Sequence, residues 1–142
     1  MLCAALLSAG NSGGRVEYVG GTRSEIPGNC GGVIQATDEV YFVFWARKAS
    51  LRVPYERINL LEYGQKVDRR YAMAVLLSPL LLLSKKRQHF LTVGYTDEDG
   101  RQQALIFRVD KNDIRSTLVI LEARTGRKVE YQDEEARKAG KG

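Results

Sequence analysis

The sequence is poor in the residue types on which most active-site chemistry depends. Its 142 residues include one histidine and two cysteines. One histidine excludes a metal site built from several histidines of a single chain, and two cysteines cannot form a disulfide framework. No Gly-Lys-Ser/Thr follows the paired glycines, which excludes a phosphate-binding loop. Cys30 and His89 are the only candidates for a thiol nucleophile and an imidazole base, and no motif pairs them. We therefore predict no metal, no cofactor and no enzymatic activity.

Long hydrophobic runs are also missing. The two apolar runs, Met1–Ala9 and Tyr71–Leu83, contain nine and thirteen residues, whereas a bilayer-spanning helix needs about 20. Met1–Ala9 and the Gly/Ser-rich stretch after it read like the end of a signal peptide without its basic start. Two interpretations stay open for residues 1–14, a truncated signal peptide or an apolar segment that packs on the domain. Export, membrane association and a cytoplasmic location therefore all stay open.

The positive charge is concentrated in one part of the chain. The net charge is +5, from 22 basic and 17 acidic residues. Residues 65–95 carry six cations against Asp68 alone, and the rest of the chain holds sixteen charges of each sign. The cations are Lys66, Arg69, Arg70, Lys85, Lys86 and Arg87. Concentrated charge of this kind attracts an anionic surface.

The pattern of apolar and turn-forming residues predicts a mainly β domain. Short β-rich segments punctuated by turns predict seven antiparallel strands. Asp110 or Asp113 then begins an amphipathic helix, which carries Ile114, Leu118 and Leu121 on one face and ends at Gly126. Such a helix can close the open end of a bent sheet or barrel. The predicted strands are 16–20, 32–37, 40–46, 50–55, 58–63, 90–95 and 103–109.

The middle of the chain resembles a known superfamily. The run Leu51-x-Val53-Pro54-Tyr55-x-x-Ile58, followed by Leu61-Glu62-Tyr63-Gly64, is similar to the pleckstrin-homology-like (PH-like) superfamily, in particular its GRAM and uncharacterised bacterial PH-like branches. The resemblance covers residues 15–126. It implies a PH-like seven-stranded bent antiparallel β-barrel closed by a C-terminal helix, with a binding role. The basic cluster of phosphoinositide-binding members is not matched, because the loop Gly21–Gly31 contains only Arg23.

Two segments lie outside this pattern. Gln65–Gln88 is an insert between the fifth and sixth strands, with the apolar run Tyr71–Leu83 between basic ends and Pro79 as a helix breaker. Residues 127–142 form a charged C-terminal segment, and we expect Gln132–Gly142 to be a solvated tail.

The insert provides the first prediction of function. We predict a non-enzymatic binding module that contacts an anionic membrane surface, with apolar residues entering the interface and cations meeting the headgroups. The predicted electrostatic anchors are Arg69, Arg70, Lys85, Lys86 and Arg87. The predicted apolar contacts are Leu80, Leu81, Leu82 and Leu83.

Three other interpretations compete with a membrane contact. In a protein-interaction or structural module, Tyr71–Leu83 would dock on a protein partner or on its own domain. A thiol enzyme would depend on Cys30. A nucleic-acid partner is not expected, because the basic residues are interleaved with aliphatic rather than aromatic side chains. The oligomeric state stays open.

Overall fold

The computed structural model of the chain describes residues 13–23, 25–47, 49–65, 88–132 and 134–141. Within these ranges eight strands form a single sheet. The first four strands are β1 (Gly13–Gly21), β2 (Cys30–Gln35), β3 (Tyr41–Ala46) and β4 (Ser50–Pro54). One turn of 3-10 helix (Tyr55–Arg57) then leads into β5 (Ile58–Gly64), β6 (His89–Thr96) and β7 (Gln102–Val109). Helix α1 (Ile114–Thr125), strand β8 (Glu130–Tyr131) and helix α2 (Glu134–Lys141) complete the order.

The sheet joins two antiparallel meanders through its first strand. The strand order is β4-β3-β2-β1-β7-β6-β5-β8, so β1 pairs with both β2 and β7. A bulge between Tyr18 and Gly20 shifts the register along β7. The prediction of a mainly β fold with a helix after the last meander strand is confirmed, and each of the seven predicted strands overlaps an observed strand.

Closure of the sheet differs from the prediction. Instead of a closed seven-stranded antiparallel barrel, the described residues form an open, mixed, eight-stranded sheet with β4 and β8 at its edges. Strand β8 runs parallel to β5, with Tyr131 beside Tyr63. It therefore occupies the β5 edge that closure against β4 would require. Strand β4 ends at Pro54, which has no N–H to offer a neighbouring strand.

The C-terminal segment is more ordered than a solvated tail. Helix α2 lies in this segment, where Ala136 is fully buried and Ala139 packs against the core. Two alanines among charged residues leave too weak an apolar pattern to predict this packing from sequence.

The main core lies on one face of the sheet, which we call the inner face. Phe107 is at its centre, with ring centroids 5.8, 6.1 and 5.1 Å from those of Tyr18, Phe42 and Phe44. The predicted stripe of α1 joins the same core through Ile114, Leu118 and Leu121. The helix therefore covers the inner face, as expected for an amphipathic helix packed on a sheet.

A hydrogen bond joins the N-terminus of helix α1 to strand β1. Asp113 is the N-cap residue, as one of the two predicted caps. Its carboxylate, however, accepts the backbone N–H of Arg15 at 3.0 Å rather than an N–H of the helix. At the other end Gly126 adopts φ 71° and donates its N–H to the Glu122 carbonyl, which is the predicted glycine C-cap.

The aromatic core gives a first testable prediction. Replacing Phe107 by alanine removes a fully buried ring that contacts three others, so we expect the free energy of unfolding to fall by about 3–5 kcal/mol. Urea denaturation measures this loss. Val119→Ala is the matched control, since Val119 is 66% exposed on α1, and we expect a change of about 0.5 kcal/mol or less. Equal losses in the two variants would contradict the position of the core.

Candidate interaction surface

The predicted site residues lie outside the described part of the chain. This applies to the anchors Arg69, Arg70, Lys85, Lys86 and Arg87 and to the apolar contacts Leu80, Leu81, Leu82 and Leu83. The structure does describe how the segment that contains them is attached. The Gln88 N–H donates to the Gln65 carbonyl at 3.3 Å, which extends the β5–β6 hairpin by one more pair. The intervening chain therefore leaves and rejoins the domain at a single point.

That point adjoins a second apolar surface of the sheet. Side chains of a strand alternate between faces, and cross-strand partners share a face. One half of the sheet consists of β1, β7, β6 and β5. The side of this half that faces away from the inner core also carries buried residues. We call this surface the outer face and define it by Val19, Phe90, Thr92, Ala104 and Ile106. Each of the five is at most 8% exposed, and none belongs to the core cluster.

The pairing of the strands supports this assignment. Thr92 lies opposite both Glu62 and Ile106, and Gly94 lies opposite Ala104. The rows between them, such as Leu91 opposite Phe107, point into the inner core. The outer face is therefore a continuous patch across β5, β6 and β7.

The described helices pack on the other side of the sheet. Helix α1 contributes Ile114, Leu118 and Leu121 to the inner core, and α2 contributes Ala136. At the border of the outer face, the Gln132 amide lies 3.4 Å from the buried Glu62 carboxylate. The burial of Val19, Phe90 and Ile106 is thus not due to α1 or α2.

An ion pair connects the outer face to the attachment point. Arg108 pairs with Glu17 across the β1–β7 ladder, and its guanidinium also donates to the Gln88 side-chain oxygen at 3.3 Å. Nearby, Arg15 pairs with Asp110 at 3.5 Å and with Asp113 at 3.6 Å. Arg15 and Arg108 are therefore both paired with carboxylates.

The other half of the same side, on β2, β3 and β4, is more exposed. Trp45 is 40% exposed and lies opposite Val33. Tyr41 points to the same side as Trp45 and Val43, as the strand pattern predicts, but the Arg52 guanidinium lies over its ring at 5.3 Å. One exposed indole and one ring already covered by arginine make a poor stacking platform for nucleic-acid bases.

A groove of about 690 Å³ lies between the edge strand β4 and the β6–β7 turn. Its polar groups are largely engaged by the domain itself. Arg23 pairs with Glu25 and donates to the Tyr95 hydroxyl at 3.1 Å. The Asp97 carboxylate accepts the backbone N–H groups of Asp99 and Arg101. The hydrogen bond from the backbone N–H of Arg101 is the main reason why the pKa of Asp97 lies below its usual range.

The acidic turn at residues 97–99 was a possible metal site, but the Asp97 carboxylate is hydrogen-bonded within the turn itself. The Asp97 carboxylate organises the turn, and Gly100 supplies the predicted positive φ of 78°. Among the residues that the structure describes, no group of three or more His, Cys, Asp or Glu side chains could hold a metal ion.

Cys30 and His89 each have another hydrogen-bond partner in the structure. Three strand pairings separate the two residues, from Cys30 through Tyr18 and Phe107 to Leu91. The Cys30 thiol lies 3.9 Å from the Gly31 carbonyl oxygen, and His89 Nδ1 lies 2.5 Å from the Tyr63 hydroxyl.

His89 instead pairs with a buried tyrosine beside the attachment point. The Tyr63 hydroxyl lies 2.5 Å from His89 Nδ1, and the two rings are stacked at 5.9 Å. Burial raises the pKa of Tyr63 to about 12, so this hydroxyl is protonated at neutral pH. It can therefore donate to Nδ1 of a neutral ring that carries its proton on Nε2.

The surroundings of His89 favour the same state. Burial is the main cause that lowers its pKa, and the Asp110 carboxylate opposes it weakly. The remaining charged groups that line the adjoining grooves are Arg15, Glu17, Arg108, Lys111 and Arg115.

No family model matches the chain, and no curated protein matches it. Within the described ranges, no helix is long and apolar enough to cross a membrane.

The half-buried His89 predicts a pH dependence of stability. Because burial lowers the His89 pKa below 6.5, the unfolded chain binds this proton more readily than the folded protein. Its contribution is therefore complete above about pH 6.5 and is lost as the pH falls through the folded-state pKa. We expect the free energy of unfolding to fall from about pH 7 to about pH 5, and this component to vanish in His89→Gln.

Chemical denaturation across this pH range measures the effect. His89 is the only histidine, so the difference between the native chain and the variant isolates its titration. An NMR titration of Tyr63→Phe provides the control, because loss of the hydrogen bond to the neutral ring should raise the His89 pKa. A pH profile that His89→Gln leaves unchanged would refute the pairing.

Proposed function

We propose that the chain is a non-enzymatic, PH-like binding module that contacts an anionic membrane surface through the cations of the segment 66–87. Two features support the PH-like part of the proposal. A four-stranded meander and a three-stranded meander are joined by pairing of β1 with β7. A helix directly after β7 places its apolar stripe in the core. The open β4 and β8 edges are the departure from a closed barrel.

The hydrogen bond between Gln65 and Gln88 is the observation that carries the membrane part. Lys66 follows Gln65 directly, and Arg87 directly precedes Gln88. Because these two glutamines are hydrogen-bonded, both basic ends of the segment start from the same point of the domain. Charges that are 21 positions apart in sequence, Lys66 and Arg87, thus contribute to one local field.

The rest of the chain adds little charge to this field. All of the net +5 lies between residues 66 and 87, and Arg15 and Arg108, near the attachment point, are paired with carboxylates. A cation near an anionic bilayer contributes about 1 kcal/mol. Six cations would therefore give reversible binding of several kcal/mol, sensitive to salt because the contacts are solvent-exposed.

Removing three of these cations tests the proposal. We expect Lys85→Gln/Lys86→Gln/Arg87→Gln to weaken binding to anionic vesicles by about 100-fold, since about 3 kcal/mol of electrostatic attraction is lost. Co-sedimentation with anionic and with neutral vesicles, at low and at high salt, measures this change. The native chain should bind the anionic vesicles at low salt and be released at high salt.

A matched control keeps the change in net charge the same. Arg47, Arg101 and Lys128 are exposed cations of the described domain, and Arg47→Gln/Arg101→Gln/Lys128→Gln also removes three charges. We expect this variant to retain most of the binding. Equal, negligible binding of the native chain to anionic and neutral vesicles would overturn the proposal, as would an equal loss in the two triple variants.

A further inference from the structure

Strand β4 is an edge strand with hydrogen-bonding groups on its open side. Among the residues that the structure describes, its only sheet partner is β3. In an antiparallel ladder every second residue exchanges two hydrogen bonds with the facing strand, and the N–H and C=O groups of the residues between them point the other way. Alternate residues of β4 therefore direct their backbone groups away from the sheet.

The hydrogen bonds at the two ends of β4 determine which residues these are. The Ala46 N–H donates to the Ala49 carbonyl at 2.8 Å, so positions 46 and 49 form a hydrogen-bonded pair. Each further pair of this kind lies two residues along, which directs the backbone groups of positions 51 and 53 towards β3. The bond from the Tyr55 N–H to the carbonyl of residue 40 agrees with this phase. Ser50 and Arg52 therefore point their N–H and C=O groups outwards.

The open side of β4 borders the groove of about 690 Å³ that extends to the β6–β7 turn, since residues 51–54 line it. This volume lies within the range of about 300–1,000 Å³ that is typical of ligand clefts. Strand β4 has five residues, which span about 17 Å at about 3.4 Å each. The ladder ends at Pro54, which has a carbonyl but no N–H to offer. The edge and the groove thus fit a short extended peptide.

Arg52 determines the chemistry of such a peptide. Its side chain is exposed, lies over the Tyr41 ring and forms no ion pair with a carboxylate of the described ranges. Asp38, with which it interacts electrostatically, already accepts two backbone N–H groups. In an added strand, the residue directly opposite Arg52 has its Cβ about 4.5–5.5 Å away, where opposite charges stabilise the pairing. A carboxylate is therefore favoured at this position.

The opposite wall of the groove restricts the peptide further. Glu98 and Asp99 line this wall, and both are exposed. Successive side chains of an extended strand point to opposite sides, so the residues next to the carboxylate do not share its surroundings. A uniformly acidic peptide would be repelled by Glu98 and Asp99, whereas uncharged or basic residues beside the carboxylate would not.

We propose that an extended peptide adds to the open edge of β4 as an antiparallel strand, with a carboxylate opposite Arg52 and uncharged or basic residues on either side of it. Its backbone exchanges hydrogen bonds with Ser50 and Arg52, so the main chain supplies affinity and the side chains supply specificity. The groove and the attachment point of the segment 66–87 lie at opposite ends of β6, at Thr96 and Gln88. Peptide binding therefore holds or fails independently of the membrane contact.

NMR titration of the full chain with the peptide acetyl-Thr-Thr-Lys-Glu-Lys-Thr-Thr-amide tests the proposal. We expect saturable shifts of the Ser50 and Arg52 amide resonances and slower hydrogen exchange at these two positions. Exchange at Leu51 and Val53 should not change, because their N–H groups already bond to β3. The control peptide acetyl-Thr-Thr-Glu-Lys-Glu-Thr-Thr-amide should bind about fivefold more weakly, since an attractive cross-strand pair becomes a repulsive one.

Methylation of single peptide nitrogens separates strand addition from simple charge attraction, and it uses the native chain alone. A methyl group on the glutamate nitrogen of the first peptide removes the N–H that faces Arg52, so binding should weaken by at least about tenfold. A methyl group on the nitrogen of the lysine after it points away from β4 and should change binding by less than about twofold. Equal effects of the two methyl groups would overturn the proposal.

A charge reversal on β4 completes the test. Arg52→Glu should exchange the preference between the two peptides, whereas Lys128→Glu, the same change of charge at an exposed residue outside the groove, should not. Circular dichroism establishes that both variants fold. Equal binding of the two peptides to the native chain would overturn the proposal, as would the absence of saturable shifts on β4 at millimolar peptide. Shifts of Ser50 and Arg52 that depend on protein concentration without peptide would assign the edge to a second copy and overturn it as well.

Discussion

A sheet that is apolar on both sides must be covered on both sides, and this requirement determines most of the architecture. On the inner face the cover is α1 together with Ala136 of α2. On the outer face Val19, Phe90 and Ile106 are buried as deeply as core residues. Burying each such side chain contributes about 1.5–3 kcal/mol, so exposing the outer face would remove a large part of the stability of a domain this size.

Several polar contacts meet at one end of the sheet. The backbone N–H of Arg15 joins Asp113, and with it the start of α1, to β1. Close by, Arg108 links Glu17 to the side chain of Gln88. The Tyr63–His89 pair lies beside the same attachment point, so protonation of His89 would act close to these contacts.

The sequence allowed a good prediction of the inner half of the fold. The aromatic run of β3, the stripe Ile114/Leu118/Leu121 and the glycines at positions 100 and 126 each follow a local rule, and each lies where predicted. The outer face left a weaker signal in β6 and β7, where Phe90, Ala104 and Ile106 are apolar in the set that alternates with the core residues. Strand β8 and helix α2 left almost none, because they depend on tertiary pairing with β5 and on two alanines. The predicted anchors lie outside the described residues and stay a prediction.

Urea denaturation of Ile106→Ala tests the central claim most directly. Ile106 is 1% exposed and lies on the outer face of the sheet rather than in the inner core. Because the variant loses most of a buried side chain, we expect the free energy of unfolding to fall by about 2–5 kcal/mol. A change of about 0.5 kcal/mol or less, as at an exposed position, would contradict the burial of the outer face.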